Sequence, residues 1–369
     1  MKVEHVEAIA IDIPLSKNFG GSTYDVLKRS TVITKLRTSD GTESLVYNGD
    51  NRDHGVEIAR IIENELAPLI IGEDPFAYER HWEAMFALSK PNRDRKLLLE
   101  AIACIDCALW DVLGRATGRS VNELLGGYRK DMPLISIGGY YMEGKTEADI
   151  VAELKMYEAA GMAGCKFKVG GLTPEEDAER VHVARAAVGG KFVLAVDANR
   201  GWTARDAIRF AQLIGDLDIA WFEEPCIWYD DVAECARVRQ QVSVPITSGQ
   251  SEFTVQGVRR FIDADAVDII NYDVSEGGGV TDWRRAAALC SAAGLHMTHH
   301  EESQIAQHLL SAVPHGLYIE CFGDPERDPV WHEMWTNRPT LSDGKMPITS
   351  GPGFGLELDA DMIAKYRVN

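Results

Sequence analysis

Along the first 47 residues, apolar and polar positions alternate with a period of two at 3–13, 30–37 and 43–47, as half-buried strands require. Ser39-Asp40-Gly41 supplies a hairpin turn between the second and third runs. The period then lengthens to that of amphipathic helices at 55–66, 77–87 and 95–117, with Gly126-Gly127 as the expected stop. From about Pro133 the pattern changes again, to short β-branched runs alternating with helix-length stretches. Strand patterns fall at 134–138, 165–169, 192–197, 219–223, 245–248, 267–273, 296–299 and 317–321. Helical patterns fall between them at 147–160, 174–188, 204–214, 232–242, 280–293 and 303–312. Eight strands alternating with helices over roughly 190 residues predict an α/β fold, a (β/α)7-8 TIM-type barrel rather than an open doubly wound sheet. No GxGxxG follows the first strand, so the dinucleotide-binding alternative lacks its main signature.

Composition excludes several classes of partner. With 38 basic and 57 acidic side chains the formal net charge is −19, which argues against nucleic acid and against a polybasic contact with anionic lipid. No apolar run approaches the roughly 18 residues of a membrane span. The N-terminus alternates like a strand and lacks the layout of a signal peptide, so a cytoplasmic protein is expected. Seven cysteines, an odd number, do not suggest a disulfide framework. Cys104 and Cys107 lie in an apolar helical run and read as small buried side chains rather than a redox or zinc pair. Gly277-Gly278-Gly279 opens a helix and offers only a weak anion cradle.

In a barrel of this kind chemistry sits at the C-terminal ends of the strands. Those ends carry Lys166-Phe167-Lys168, Asp197-Ala198-Asn199, Glu223-Glu224, Gly249-Gln250-Ser251-Glu252, Asp273, His299-His300 and Glu320. Successive spacings from Lys168 through Asp197, Glu223, Gln250, Asp273 and His300 to Glu320 are 29, 26, 27, 23, 27 and 20 residues, each about one βα unit. A lone acidic residue at a strand end is more often a helix cap; the periodic set is far more specific. Asp197 and Glu223 facing inward repel each other unless a cation lies between them, and oxygen ligands suit Mg²⁺. Alternation sends Lys166 and Lys168 to one face, where like charge beside a divalent ion is expected to lower a lysine toward a useful base. Asp273 and His300, from adjacent strands, are expected to pair and fix the imidazole tautomer, while His299 faces away in a structural role. Glu320 can donate to a developing oxyanion only if burial keeps it protonated.

These residues resemble the enolase superfamily and, within it, the mandelate racemase group. The resemblance covers nearly the whole chain: the segment 100–127 ending in LLGG, then KxK, DAN, EEP, the Asp273–His300 dyad and Glu320, in order. It implies a capping domain (1–130), a barrel (131–325) and a C-terminal segment (326–369) returning to the cap. It implies one Mg²⁺ per subunit and abstraction of the α-proton of a small anionic carboxylate to form an enediolate. Asp197 and Glu223 then resemble metal ligands, Lys168 the base on one face with Lys166 beside it, and His300 the acid/base on the other. Glu320 resembles the group that bonds the substrate carboxylate, and a homo-oligomer is implied.

One position departs from the pattern. The third metal ligand of the group is usually acidic, and Gln250 stands there. Its amide oxygen can serve, or Glu252 can swing in; spacing favours Gln250 and charge favours Glu252. Two-sided acid/base chemistry permits dehydration to a 2-keto-3-deoxy acid or racemisation. The polar stretches 20–24 and 47–51, with Tyr24, Asn48 and Asn199 as substrate contacts, favour a polyhydroxylated acid. The sequence therefore reads first as an acid-sugar dehydratase of aldonate or aldarate type, second as a racemase or epimerase. A non-catalytic metal- or sugar-acid-binding relative, with Gln250 marking a decayed site, is the reading of another class.

Overall fold

The computed structural model describes residues 1–50, 53–91 and 93–369. The chain begins with an antiparallel sheet of β1 (Val3–Gly20), β2 (Asp25–Thr38) and β3 (Glu43–Asn48), in that order. The period-two pattern is explained by cover on both faces. Ala8 and Ala10 face helices, while Ile9, Ile11 and Ile13 pack with Ile33, Val330 and Met334. The chain's last residues add to that second cover: Ile11 bridges Arg367, and Val368 N–H donates to the Ala10 carbonyl at 2.9 Å. Gly41, at φ 86°, makes the β2–β3 turn, as Ser39-Asp40-Gly41 foretells.

Helices α1 (Gly55–Ile61), α2 (Ala67–Ile70), α3 (Tyr78–Phe86), α4 (Arg95–Thr117) and α5 (Val121–Leu125) follow. The apolar pattern at 55–66 does not form one α-helix, because residues 62–66 wind as a π-helix. Nor does Gly126-Gly127 end the long helix. Gly118 does so, in the left-handed region at φ 66°, and Gly126 closes the short α5 instead. Asp94 caps α4 by accepting from the Lys96 and Leu97 amides. Halfway along, the fully buried Asp106 accepts from the Thr281 N–H at 2.8 Å and its hydroxyl at 2.7 Å, tying cap to barrel. The seven cysteines are free and buried, Cys104 and Cys107 among them.

The barrel consists of β4 (Asp131–Gly138), β5 (Gly164–Lys168), β6 (Val193–Asp197), β7 (Phe222–Glu223), β8 (Ile246–Ser248), β9 (Ile269–Asn271), β10 (His296–Thr298) and β11 (Ile319–Cys321). They run parallel in the order β10-β9-β8-β7-β6-β5-β4-β11, and a bridge from Met297 to Gly316 spans the gap between β10 and the approach to β11. Eight parallel strands thus make a nearly closed ring, the TIM-type architecture the sequence predicts. Helices α6 (Glu147–Ala159), α7 (Pro174–Ala187), α8 (Ala204–Leu213), α9 (Asp231–Arg239), α10 (Thr254–Asp263), α11 (Val274–Gly277), α12 (Val280–Ala293) and α13 (Ser303–Leu310) connect the strands after β4. The tail adds β12 (Lys345–Pro347), antiparallel to β4, and α14 (Ala360–Tyr366), which packs on β1.

The Gly277–Gly279 run is a packing device, not an anion cradle. A Cβ on Gly277 would stand 2.4 Å from the Tyr272 ring, and one on Gly279 would stand 2.5 Å from Asp106. Among the described residues no helix is long and apolar enough to cross a membrane.

Candidate active site

Strand register builds the site. Lys168 on β5 lies opposite Asp197 on β6, which lies opposite Glu223 on β7. Parallel neighbours in register point their side chains the same way, so the three converge at the barrel mouth. Lys168 Nζ donates to Asp197 Oδ2 at 2.7 Å. Lys166 Nζ lies 2.7 Å from Glu223 Oε1, 2.8 Å from Glu320 Oε1 and 3.8 Å from Asp197 Oδ2. All five side chains are essentially buried.

The electrostatics follow from this geometry. Burial pulls both lysines down, but the adjoining carboxylates outweigh it and hold both above the ordinary lysine value. The lowering expected of a lysine beside a divalent ion belongs to the ion-bound site; in this arrangement each ammonium meets a carboxylate at 2.7 Å. Glu223 is pushed up by burial and by Asp197 and Glu320, to about 7, against the pull of Lys166. Asp197 goes the other way, to about 2; burial opposes that, and the two lysines overcome it. Glu320 Oε2 accepts from Lys166 Nζ and from the Glu301 N–H.

On the far side, His300 Nδ1 lies 2.8 Å from Asp273 Oδ2. Its Nε2 is 3.4 Å from Glu301 Oε1, a neighbour that sequence reading passed over. Burial lowers the imidazole, yet Glu301 and Asp273 together raise it to about 10. His299 differs: its Nε2 accepts from the Val274 N–H at 3.2 Å, leaving Nδ1–H for the His300 carbonyl at 2.9 Å. That neutral, buried ring orients the dyad's backbone, the structural place the alternation assigns to it.

A testable consequence concerns His300. Its pKa, raised on folding above the ordinary histidine value of about 6.5, makes its ion pair stabilising below that value. The contribution fades as pH rises through about 10. Nitrogen-15 NMR of the imidazole is expected to show a cationic ring at neutral pH, and Asp273→Asn to move its midpoint back toward the ordinary value.

Metal-ligating candidates divide clearly. Gln250 is 6% exposed, lines the cavity, and its Oε1 is buried with no hydrogen-bond donor. Glu252 turns outward, with Oε2 2.6 Å from Arg260 Nη2. Among the described residues no three His, Cys, Asp or Glu side chains are grouped to hold one cation. A site here consists of two carboxylates, Asp197 and Glu223, and one unsatisfied amide oxygen. That all-oxygen donor set fits a hard divalent ion.

The cavity at the mouth has a volume of about 330 Å³. Tyr24, Asn199, Gln250, Asp273 and His300 line it, together with Asp50, Lys96, Glu100, Arg200, Trp228, Glu276, Glu301 and Arg327. Asn48 does not: it is fully buried behind the wall, and its Nδ2 donates to Ser275 Oγ at 2.9 Å. Ser22 likewise spends its hydroxyl on the Ala198 carbonyl at 2.6 Å, so of the polar stretch 20–24 it is Tyr24 that reaches the cavity. Asn199 donates to Asp197 through both its N–H (2.8 Å) and its Nδ2 (3.2 Å), holding that carboxylate as well as facing the cavity. Of stretch 47–51, Asn51 lies outside the described residues. Accordingly Asn48→Ala is expected to destabilise the fold by about 1–3 kcal/mol while KM stays within twofold. Calorimetric unfolding beside steady-state kinetics checks this.

Sequence reading missed Asn271, whose Nδ2 donates to Glu223 Oε1 at 2.9 Å, and Trp221, whose Nε1 donates to Oε2 at 3.1 Å. Both were findable, since each lies two positions before a chosen residue at the same strand end. Arg200, stacked 3.8 Å over Trp228, and Arg327 come from loops and had no such signal.

The chain is similar to known proteins along nearly its whole length. Residues 8–126 match the mandelate racemase/muconate lactonizing enzyme N-terminal domain, and residues 149–362 match the enolase C-terminal domain-like family. The 3,6-anhydro-alpha-L-galactonate cycloisomerase of Streptomyces coelicolor is 30% identical over 99% of both chains. The arabinonate dehydratase of Saccharolobus solfataricus is 28% identical, covering 91% of this chain and 90% of that one. A mandelate racemase/muconate lactonizing enzyme from a marine actinobacterium, crystallised in complex with magnesium, is 41% identical with a TM-score of 0.93, over 100% of this chain and 99% of that one.

Proposed function

This chain belongs to the mandelate racemase/muconate lactonizing enzyme family of the enolase superfamily, and from that premise we propose that it is a Mg²⁺-dependent acid-sugar dehydratase. In this reading it removes the α-proton of a sugar-derived carboxylate and expels the β-hydroxyl, giving a 2-keto-3-deoxy acid after tautomerisation. Asp197, Glu223 and Gln250 would hold the ion. An ion held there would supply charge that stabilises an enediolate and, by taking Asp197 as a ligand, would let Lys168 become the neutral amine that a base must be.

The chain's own groups do the proton work. Lys168 Nζ takes the α-proton, and Lys166 Nζ, with Glu320 behind it, orients the substrate carboxylate. His300, supplied from the end of β10 across the mouth from β5, gives a proton from Nε2 to the departing oxygen. Asp273 holds the ring in place. The supporting observation is that His300 lies between two carboxylates, 2.8 Å from Asp273 and 3.4 Å from Glu301, which together hold the imidazole protonated. An imidazolium suits a general acid for a leaving group; a racemase needs the same group to accept a proton as readily as it donates one.

A second reading has its own support. The Streptomyces relative is a cycloisomerase, and if the β-oxygen belongs to a ring, the same two proton transfers open the ring. The test is a library of α-hydroxy and lactone acids with Mg²⁺ in D₂O, followed by proton NMR and 2-keto acid detection. α-Proton exchange with keto acid supports elimination. Exchange without keto acid leaves racemisation, and no exchange at all leaves a binding protein.

A further inference from the structure

We infer that Asn271, at the end of β9, and Trp221, just before β7, are positioning residues for the metal. Together they fix the Glu223 carboxylate so that a lone pair on Oε2 is left for the ion. This rests on the Mg²⁺ site proposed above and deepens it.

Glu223 on β7 is in register with Thr247 on β8, and Thr247 with Ile269 on β9. Side chains in register share a face, and so do those two positions apart on one strand. Glu223, Thr247 and Asn271 therefore all turn into the barrel, and Asn271 reaches Glu223 across β8, where the side chain of Thr247 is short. Asn271 Nδ2 donates to Glu223 Oε1 at 2.9 Å, and Trp221 Nε1 donates to Oε2 at 3.1 Å. Both side chains are buried, Asn271 fully. The Trp221 ring is packed with its centroid 5.6 Å from that of Tyr318.

A carboxylate offers about four lone pairs, two on each oxygen. On Oε1 both are in use, by Lys166 Nζ at 2.7 Å and by Asn271. On Oε2, among the described residues, Trp221 is the one donor. A cation approaching Glu223 meets its open lone pair there. Lys166 is shared, since its Nζ also donates to Glu320 Oε2 at 2.9 Å. When Lys166 turns to a substrate carboxylate, Asn271 still holds Oε1. The amide has one way to sit, because turning it over would set its oxygen against Oε1 with no hydrogen between them. As it stands, Asn271 Oδ1 is buried without a donor. An unsatisfied acceptor in a closed interior is costly, and a leucine would fill the same space without that cost. What the asparagine supplies in return is the bond to Glu223, the kind of outer contact that orients a metal ligand.

The test is titration calorimetry of the full chain with Mg²⁺ alone. Asn271→Leu removes the donor with little change of volume, and Trp221→Phe removes the indole N–H while keeping an aromatic ring. Each is expected to raise the Mg²⁺ Kd about tenfold or more. Asn48→Ala, which removes a buried amide bonded to Ser275 behind the cavity wall, is expected to leave Kd within about twofold. Thermal unfolding of each variant establishes that it is folded. A second readout uses the wild type: the assigned indole N–H resonance of Trp221, in protein labelled with nitrogen-15 tryptophan, is expected to shift as Mg²⁺ is added and to saturate with the calorimetric Kd. A folded variant of either residue that binds Mg²⁺ as tightly as the wild type would overturn the inference alone. So would a Trp221 resonance unmoved at saturating Mg²⁺. A wild type that binds no Mg²⁺ would remove the metal reading, and this inference with it.

Discussion

Lys168→Ala and His300→Asn are expected to fail at different steps. Lys168→Ala should abolish α-proton exchange and product together, lowering kcat/KM by about 10²–10⁴-fold, the usual contribution of a positioned proton-transfer group. His300→Asn should lower keto acid formation by a similar factor while α-proton exchange in D₂O continues. The difference follows from geometry. Lys168 stands on β5 in register with Asp197, beside the charge it must lose contact with to act as a base. His300 stands beyond β10 with its Nδ1 committed to Asp273 and its Nε2 at the cavity, 3.4 Å from Glu301 Oε1. An amine takes the proton; an imidazolium gives one. Exchange can proceed without departure of the β-oxygen, but departure cannot proceed without formation of the enediolate. If His300→Asn lost exchange and product in parallel, the imidazole would belong to the α-proton step, and the two-base reading would gain. If Lys168→Ala retained exchange, the assignment of the base would be wrong.

The ring of strand-end side chains was legible because a βα unit has a nearly fixed length. Asp197, Glu223, Asp273, His300 and Glu320 recur at that spacing, and a strand's period of two decides which face each takes. His299 and His300 lie just past β10, yet, adjacent in sequence, they still make separate bonds and take opposite pKa directions. Loop residues obey neither rule. Tyr24 and Asn48 carry equally polar side chains on the capping segments, yet one reaches the cavity and the other bonds Ser275 behind it. Which way a capping side chain turns depends on the barrel loop it meets, and that partner is 227 residues away in the chain. The state of Lys168 was out of reach for a related reason. Its pKa direction depends on a 2.7 Å contact with Asp197, which spacing brings near but does not measure. The long helix shows the same limit locally, since Gly118 and Gly126 are both plausible stops and the fold uses each for a different helix.

Metal affinity should distinguish Gln250 from Glu252, the ambiguity that sequence alone left open. Asp197→Ala is expected to abolish Mg²⁺ binding in titration calorimetry. Gln250→Ala is expected to weaken it on the order of tenfold, and Gln250→Glu to strengthen it, because affinity for a hard ion rises with ligand charge. Glu252→Gln is expected to leave affinity within about twofold and to cost about 1 kcal/mol of stability instead, by weakening its bond to Arg260. Glu252 is held against α10, where a Cβ on Gly257 would stand 2.2 Å from its Oε2, so the carboxylate is packed there as well as paired. Swinging into the mouth would break that packing and strand the Arg260 partner. Gln250 is already at the cavity wall, with an oxygen that nothing in the protein satisfies. A carboxamide at that position also leaves the ion with one negative charge fewer than a third carboxylate would supply. An ion held by those residues would be a stronger Lewis acid toward substrate oxygens and would be held less tightly. Gln250→Glu should therefore show tighter Mg²⁺ together with a lower kcat. A variant with tighter binding and a higher kcat would mean that the amide is a defect of the site rather than a setting of it.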